Sequence, residues 1–120
     1  MERTFCFVAV IYFLCISSVS ADESFGVPVY PGAKFDAGAT NVLKEKIHIN
    51  GLCYRTEDGV QKVAEFYKNQ GLDLSGEITK EGALYQTKTG VNVSIQNPWM
   101  DISTGTMIKD TLISIVKLKE

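Results

Sequence analysis

The pattern of apolar and polar side chains predicts β-strands in three parts of the sequence. Residues 91–96 alternate valine or isoleucine with polar side chains, the pattern of an antiparallel strand with one buried face. Residues 83–88 form a second predicted strand, joined to the first across a Thr-Gly turn. Residues 110–119 are apolar on both faces in the middle, which favours a strand in the centre of a sheet.

A further region predicts a β-hairpin. Residues 42–49 are a predicted strand, with Ile47 and Ile49 on one face and Lys46 and His48 on the other. The strand runs into Asn50-Gly51, after which residues 52–55 resume the strand pattern. Asn-Gly between two alternating segments is the strongest short-range signal for a hairpin. With a two-residue turn, His48 would lie opposite Cys53, and a register shift of one residue would separate them.

Residues 56–70 have the spacing of an amphipathic helix. Thr56 is the expected N-cap, and Gly71 would end the helix in a left-handed conformation. Gly59 is the weakest position inside this predicted helix, because glycine is a poor helix former. The apolar stripe that would face the sheet consists of Val60, Val63, Ala64 and Tyr67.

The order of these elements indicates the fold class. Two strands, one helix and about three further strands are typical of an α+β protein and not of alternating βαβ units. We predict a twisted antiparallel sheet of about four to five strands with one main helix packed across one face. Pro31-Gly32 predicts a type II turn, while residues 36–41 and 97–109 are predicted loops.

The N-terminus has the features of a secretion signal. An apolar run extends from Phe5 to Ile16, and Val19 and Ala21 are the small residues expected before a cleavage site. We place the cut after Ala21, which leaves residues 22–120 as a single domain. A retained membrane anchor is the alternative, but the run is shorter than the roughly 20 apolar residues that span a bilayer.

Charge and cysteine content exclude several classes of function. The formal net charge is −2 and no basic run is visible, so neither nucleic acid nor, after signal cleavage, a membrane surface is an expected partner. Cys53 would be the one cysteine left after cleavage, either buried, free or bonded to another chain. With one cysteine and one histidine in residues 22–120 and no glycine-rich phosphate loop, we expect no metal and no cofactor.

Three short motifs resemble a family of small exported bacterial proteins. They are Tyr30-Pro31-Gly32-Ala33, a segment from Tyr54 to Asp58 that leads into Phe66-Tyr67-Lys68, and the strand from Asp110 to Ile115. The family shares a "YPGA" turn and a helix that ends in "FYK", and it has no settled activity. The resemblance implies a bacterial protein of the periplasm, or one that is secreted, without catalytic residues.

Two hypotheses of function follow from the candidate residues. The long segment 97–109 carries Trp99, Met100 and Met107, and tryptophan and methionine are enriched where proteins contact partners. A non-enzymatic module that binds an unknown protein or small molecule is therefore the first hypothesis, although these side chains could instead cover an edge of the core. A small thiol-dependent enzyme or redox protein using Cys53 and His48 is the second.

Overall fold

The computed structural model describes residues 25–117 of the 120-residue chain. The predicted signal peptide, including the cut after Ala21, lies outside the described residues and remains a prediction. Among residues 25–117, no helix has the length and apolar character needed to cross a bilayer.

One antiparallel sheet dominates the fold and confirms the predicted α+β class. The elements are β1 (Lys34–Phe35), α1 (Ala37–Val42), β2 (Gly51–Thr56), α2 (Val60–Asn69), β3 (Asp73–Leu74), β4 (Gly82–Gln86), β5 (Val91–Gln96), β6 (Trp99–Asp101), β7 (Thr106–Ile108) and β8 (Thr111–Lys117). Six strands form the main sheet in the order β1-β2-β8-β5-β4-β3, so the sheet is larger than the four to five strands expected. Strands β6 and β7 form a separate small sheet.

The predicted strand pair of β4 and β5 and the central position of β8 are confirmed. Val93 pairs with Ile115 in the ladder between β5 and β8, and β2 borders the other side of β8. Leu112 and Ile113 are both buried although they point to opposite faces, because each face of β8 is covered. Strand β3, of two residues, pairs with β4 at one edge of the sheet.

Helix α2 covers one face of the sheet, and its predicted apolar stripe is confirmed. Every member of that stripe is buried. Two of the buried tyrosines keep their hydroxyl groups satisfied: Tyr67 donates to the Pro28 carbonyl at 2.9 Å and Tyr85 to the Ala64 carbonyl at 2.9 Å. The stripe packs against a core that includes Val27, Tyr30, Ala83, Tyr85, Val91, Val93, Ile95, Ile113 and Ile115.

The helix begins later than its sequence predicts. Gly59 is the N-cap, whereas Thr56 ends β2 and pairs with Thr111 of β8. The predicted N-cap is wrong because the ladder between β2 and β8 continues through Thr56 and holds it in an extended conformation. Gly71 has φ of 87° after the helix, as predicted for its C-terminal end.

The predicted Asn50-Gly51 hairpin is wrong, because the segment before it is helical. Asp36 caps α1 by accepting a hydrogen bond from the Ala39 amide at 2.8 Å, and a π-helical turn over Leu43–Ile47 extends the helix. The left-handed His48, with φ of 62°, follows that turn. Strand β2 then starts at Gly51 and pairs with β1 and β8. The expected loop at 36–41 is therefore a capped helix.

Candidate functional site

An apolar groove of about 380 Å³ lies on the face of the sheet opposite α2. Helix α1 and its π-helical turn form one wall, the β6–β7 hairpin forms the other, and β2 and β8 form the floor. Its lining is Ala39, Val42, Leu43, Ile47, Cys53, Gln96, Trp99, Met100, Asp101, Ile102, Leu112 and Ser114. We call this feature the apolar groove.

The α1 wall is fixed to strand β2 through both backbone groups of Cys53. The Cys53 amide donates to the Thr40 hydroxyl at 2.9 Å, and the Cys53 carbonyl accepts from the Asp36 amide at 2.8 Å. At this point α1 and its N-cap, instead of another strand, lie beside β2. They satisfy the backbone N–H and C=O of β2 that point away from β8. Ala39 and Leu43 thereby pack beside the Cys53 side chain at the floor.

The hairpin wall is anchored by Trp99. Its side chain is buried with Leu112 and Cys53, and its indole Nε1 donates to the Asp110 carboxylate at 2.8 Å. Segment 97–109, predicted as a loop, contains this hairpin, in which Met100 pairs with Met107. The hairpin was missed because its strands have three residues each, and their apolar residues do not alternate over a recognisable length.

Arg55 connects the two walls. Its Nε donates to Asp110 at 2.9 Å, its Nη1 contacts Asp36 at 3.2 Å, and its guanidinium carbon lies 5.4 Å from the centroid of the Trp99 ring. Hydrogen bonding to Asp110 and Asp36 raises the pKa of Arg55. One guanidinium thus joins the N-cap of α1 to the carboxylate that anchors the hairpin, so it sets the distance between the walls.

The floor of the groove carries two small polar side chains. The Cys53 Sγ lies 3.5 Å from the Ser114 Oγ, and Cys53 is 1% exposed. Burial raises the pKa of the Cys53 thiol, although hydrogen bonds from Ser114 and Thr40 act in the opposite direction. The residue is therefore an uncharged thiol in an apolar setting, which opposes a role as a nucleophile.

The structure separates the predicted site residues into two groups. Trp99 and Met100 both line the groove, with Trp99 5% exposed and Met100 54% exposed. Met107 is 49% exposed on the same hairpin but does not line the groove.

The predicted cross-strand pair of His48 and Cys53 is wrong, because Cys53 pairs with Ser114 of β8 while His48 is exposed at the end of the π-helical turn.

The α1 wall was not anticipated from the sequence. The predicted strand rested on Ile47 and Ile49, which alternate with polar residues. Leu43 and Ile47 are four residues apart, a spacing that places both on one wall of a helix. The available signal was Asp36, an N-cap residue before a run of small side chains.

A second, polar concavity of about 580 Å³ lies beside Arg55. Three of its four carboxylates are engaged by neighbours: Asp36 and Asp110 by Arg55, and Asp58 by the Tyr30 hydroxyl at 2.6 Å. Among residues 25–117, no three His, Cys, Asp or Glu side chains come together so as to hold a metal ion.

The motifs that carry the family resemblance meet around Asp58. The Tyr30 hydroxyl donates to the Asp58 carboxylate, and the Thr111 hydroxyl donates to the Asp58 carbonyl at 2.6 Å. The turn, the segment before the helix and the final strand therefore hold one another in place. In this chain the contacts of these motifs are structural.

Comparison with known proteins gives no match. No family model matches the chain, and no curated protein or solved structure does either.

Proposed function

We propose that this chain is an exported, non-enzymatic binding module that holds a small apolar ligand in the apolar groove. The observation that carries the proposal is an open groove with a buried floor between two walls of partly exposed apolar side chains. The predicted signal peptide and the family resemblance support a bacterial periplasmic or secreted location.

The size of the groove favours a small ligand over a broad protein interface. Its volume of about 380 Å³ lies within the roughly 300–1,000 Å³ typical of small-molecule sites. A stable protein interface commonly involves about 20–30 residues on each side, far more than line this groove. Met100 and Ile102 are each more than half exposed at its edge, so a ligand would remove their apolar surface from water.

The chemistry at the floor favours binding without catalysis. Cys53 is buried with a raised thiol pKa, and its contact with Ser114 supplies no general base. Leu112 and Trp99, the buried neighbours of Cys53, add only apolar surface and an indole whose N–H is already bound to Asp110.

Trp99 provides a direct test, because it is the only tryptophan in the chain. Octanol, an uncharged apolar probe, should change the fluorescence of Trp99 in a saturable manner, and calorimetry should give one binding site per chain. Replacing Met100 with serine should weaken binding roughly three- to tenfold through lost apolar contact.

Met107→Ser is the matched control for that substitution. Met107 pairs with Met100 in the same hairpin and has a similar exposure, but it does not line the groove. Octanol affinity should therefore be unchanged. Absence of saturable octanol binding, or equal losses in the two variants, would show that the groove is not the binding site.

A further inference from the structure

The apolar groove carries a single ionised side chain at its edge. Of the described residues that line it, Asp101 is the one with a charge, and none is a lysine or arginine. Lys44 and Lys46 belong to the π-helical turn of the opposite wall but do not line the groove. The edge of the groove is therefore negative above an apolar interior.

We infer that the ligand of this groove is an amphiphile with an apolar chain and a cationic group, such as an ammonium. This inference rests on the proposed function, since it specifies the class of ligand that the groove would hold. The apolar chain would lie over Leu112 and Cys53 between the two walls. The cationic group would lie beside the Asp101 carboxylate.

The Asp101 carboxylate is oriented by residues of its own turn. Its Oδ1 accepts from the Ser103 amide at 3.0 Å and from the Ser103 hydroxyl at 2.7 Å, which fixes the orientation of the side chain. The backbone amide and the hydroxyl of Thr104 also interact with this carboxylate. The hydrogen bonds from Ser103 lower the pKa of Asp101, so the group is charged at neutral pH.

Neighbouring basic residues do not neutralise this carboxylate. The two ion pairs of the groove walls join Arg55 to Asp36 and Asp110, and Asp101 takes part in neither. An anionic head group at the same position would meet the like charge of Asp101 without a lining cation to offset it. Charge complementarity therefore favours a cationic ligand over a fatty acid of the same chain length.

Three probes with the same chain separate apolar binding from charge recognition. Octylammonium, octanol and octanoate should each be titrated into the full chain at neutral pH, with Trp99 fluorescence and calorimetry as readouts. We expect octylammonium to bind roughly three- to fivefold more tightly than octanol, the range for an exposed ion pair, and octanoate to bind most weakly.

The preference should depend on Asp101 and on salt. Asp101→Asn keeps an oxygen that can accept from Ser103 but removes the charge, so the advantage of octylammonium over octanol should fall to about one. About 1 M salt should have the same effect on the unsubstituted chain, because the Debye length is then roughly 3 Å. Asp73→Asn, an exposed aspartate of β3 outside the groove, is the control and should leave the preference unchanged.

The outcomes distinguish this inference from the proposed function. Equal binding of all three probes, or tightest binding of octanoate, would overturn the cationic ligand while leaving an apolar binding site in place. A preference for octylammonium that survives both Asp101→Asn and high salt would also overturn it. Absence of binding by every probe would refute the proposed function and this inference together.

Discussion

The Asp110 carboxylate accepts a hydrogen bond of 2.8 Å from the indole nitrogen of Trp99, and this contact fixes the hairpin wall of the groove. The second oxygen of the same carboxylate accepts from Arg55 Nε at 2.9 Å. Since Arg55 also contacts Asp36 at the N-cap of α1, one charged network holds both walls. The position of both walls therefore involves charged side chains as well as the apolar lining.

Removal of this anchor should destabilise the protein and expose the indole. Asp110→Ala leaves the Trp99 N–H and the Arg55 guanidinium without their shared acceptor, which we expect to cost about 1–3 kcal/mol of unfolding free energy. Urea unfolding measures the loss, and a red shift of Trp99 emission in the folded protein reports the exposure. Asp73→Ala is the control. Equal stability of the two variants would show that Asp110 does not hold the wall.

Much of the fold follows from local sequence signals. Strands β4 and β5 alternate with one buried face, whereas β8 is apolar on both faces, as a central strand requires. The apolar stripe of α2 has helical spacing. Gly32 has φ of 86°, as the predicted type II turn at Pro31-Gly32 requires. In each case the sequence pattern and the tertiary environment favour the same conformation.

The candidate site was harder to predict because long-range contacts override local preference there. Asp36 caps α1 and also contacts Arg55, and these interactions favour helix in a segment whose alternation resembles a strand. The sequence does not predict the hydrogen bond between Trp99 and Asp110, because neither charge nor hydropathy shows which side chains of a loop and a short strand will meet. Trp99 and Met100 were identified by residue type alone, so the opposite wall of the groove was missed.

A methyl group at Gly51 should be poorly tolerated. A Cβ built at this position would lie 2.9 Å from the Ile115 carbonyl oxygen and 3.1 Å from the Leu43 Cδ1. Because the backbone carbonyl belongs to the central ladder, the strand or the α1 wall must shift, and we expect Gly51→Ala to cost about 1–3 kcal/mol.

The control for Gly51→Ala is a glycine with open space around it. A Cβ at Gly59 would meet no atom within 4 Å, and its φ of −75° is ordinary for alanine. Gly59→Ala should cost no more than about 1 kcal/mol, the effect of a poorer N-cap. Urea unfolding of the two variants provides the comparison, and a larger loss at Gly59 would contradict the tight packing at Gly51.

Alkaline pH should weaken the fold through Tyr30. Burial and the hydrogen bond to Asp58 raise its pKa to about 12 in the folded protein, against about 10 when unfolded. Because the folded state holds this proton more tightly, the stabilisation is complete below about pH 10 and is lost as the pH rises to about 12.

The variant that isolates this effect is Tyr30→Phe. It lacks the hydroxyl and should have a lower unfolding free energy than the unsubstituted chain at neutral pH. The difference in unfolding free energy between the two proteins should narrow between about pH 10 and 12. Unfolding free energies across that range provide the measurement. A difference that stays constant would mean that Tyr30 ionises in the folded protein as it does in the unfolded chain.

Alkylation of Cys53 should require the fold to open. The side chain is 1% exposed beneath the groove and burial raises its thiol pKa, so both access and thiolate content are low. In the native protein, iodoacetamide labelling of the peptide that contains Cys53, followed by mass spectrometry, should be at least about a hundredfold slower than in urea.

A second comparison identifies which opening exposes the thiol. If labelling requires global unfolding, Gly51→Ala should accelerate it by the factor that corresponds to its loss of stability, about tenfold for each 1.4 kcal/mol. If instead the α1 wall alone moves away, labelling of the unsubstituted native protein should be faster than its global unfolding free energy allows, because local opening costs less than unfolding. Rapid labelling of the native protein at a rate that Gly51→Ala does not change would mean that Cys53 is accessible from the groove. That result would support the thiol-enzyme hypothesis.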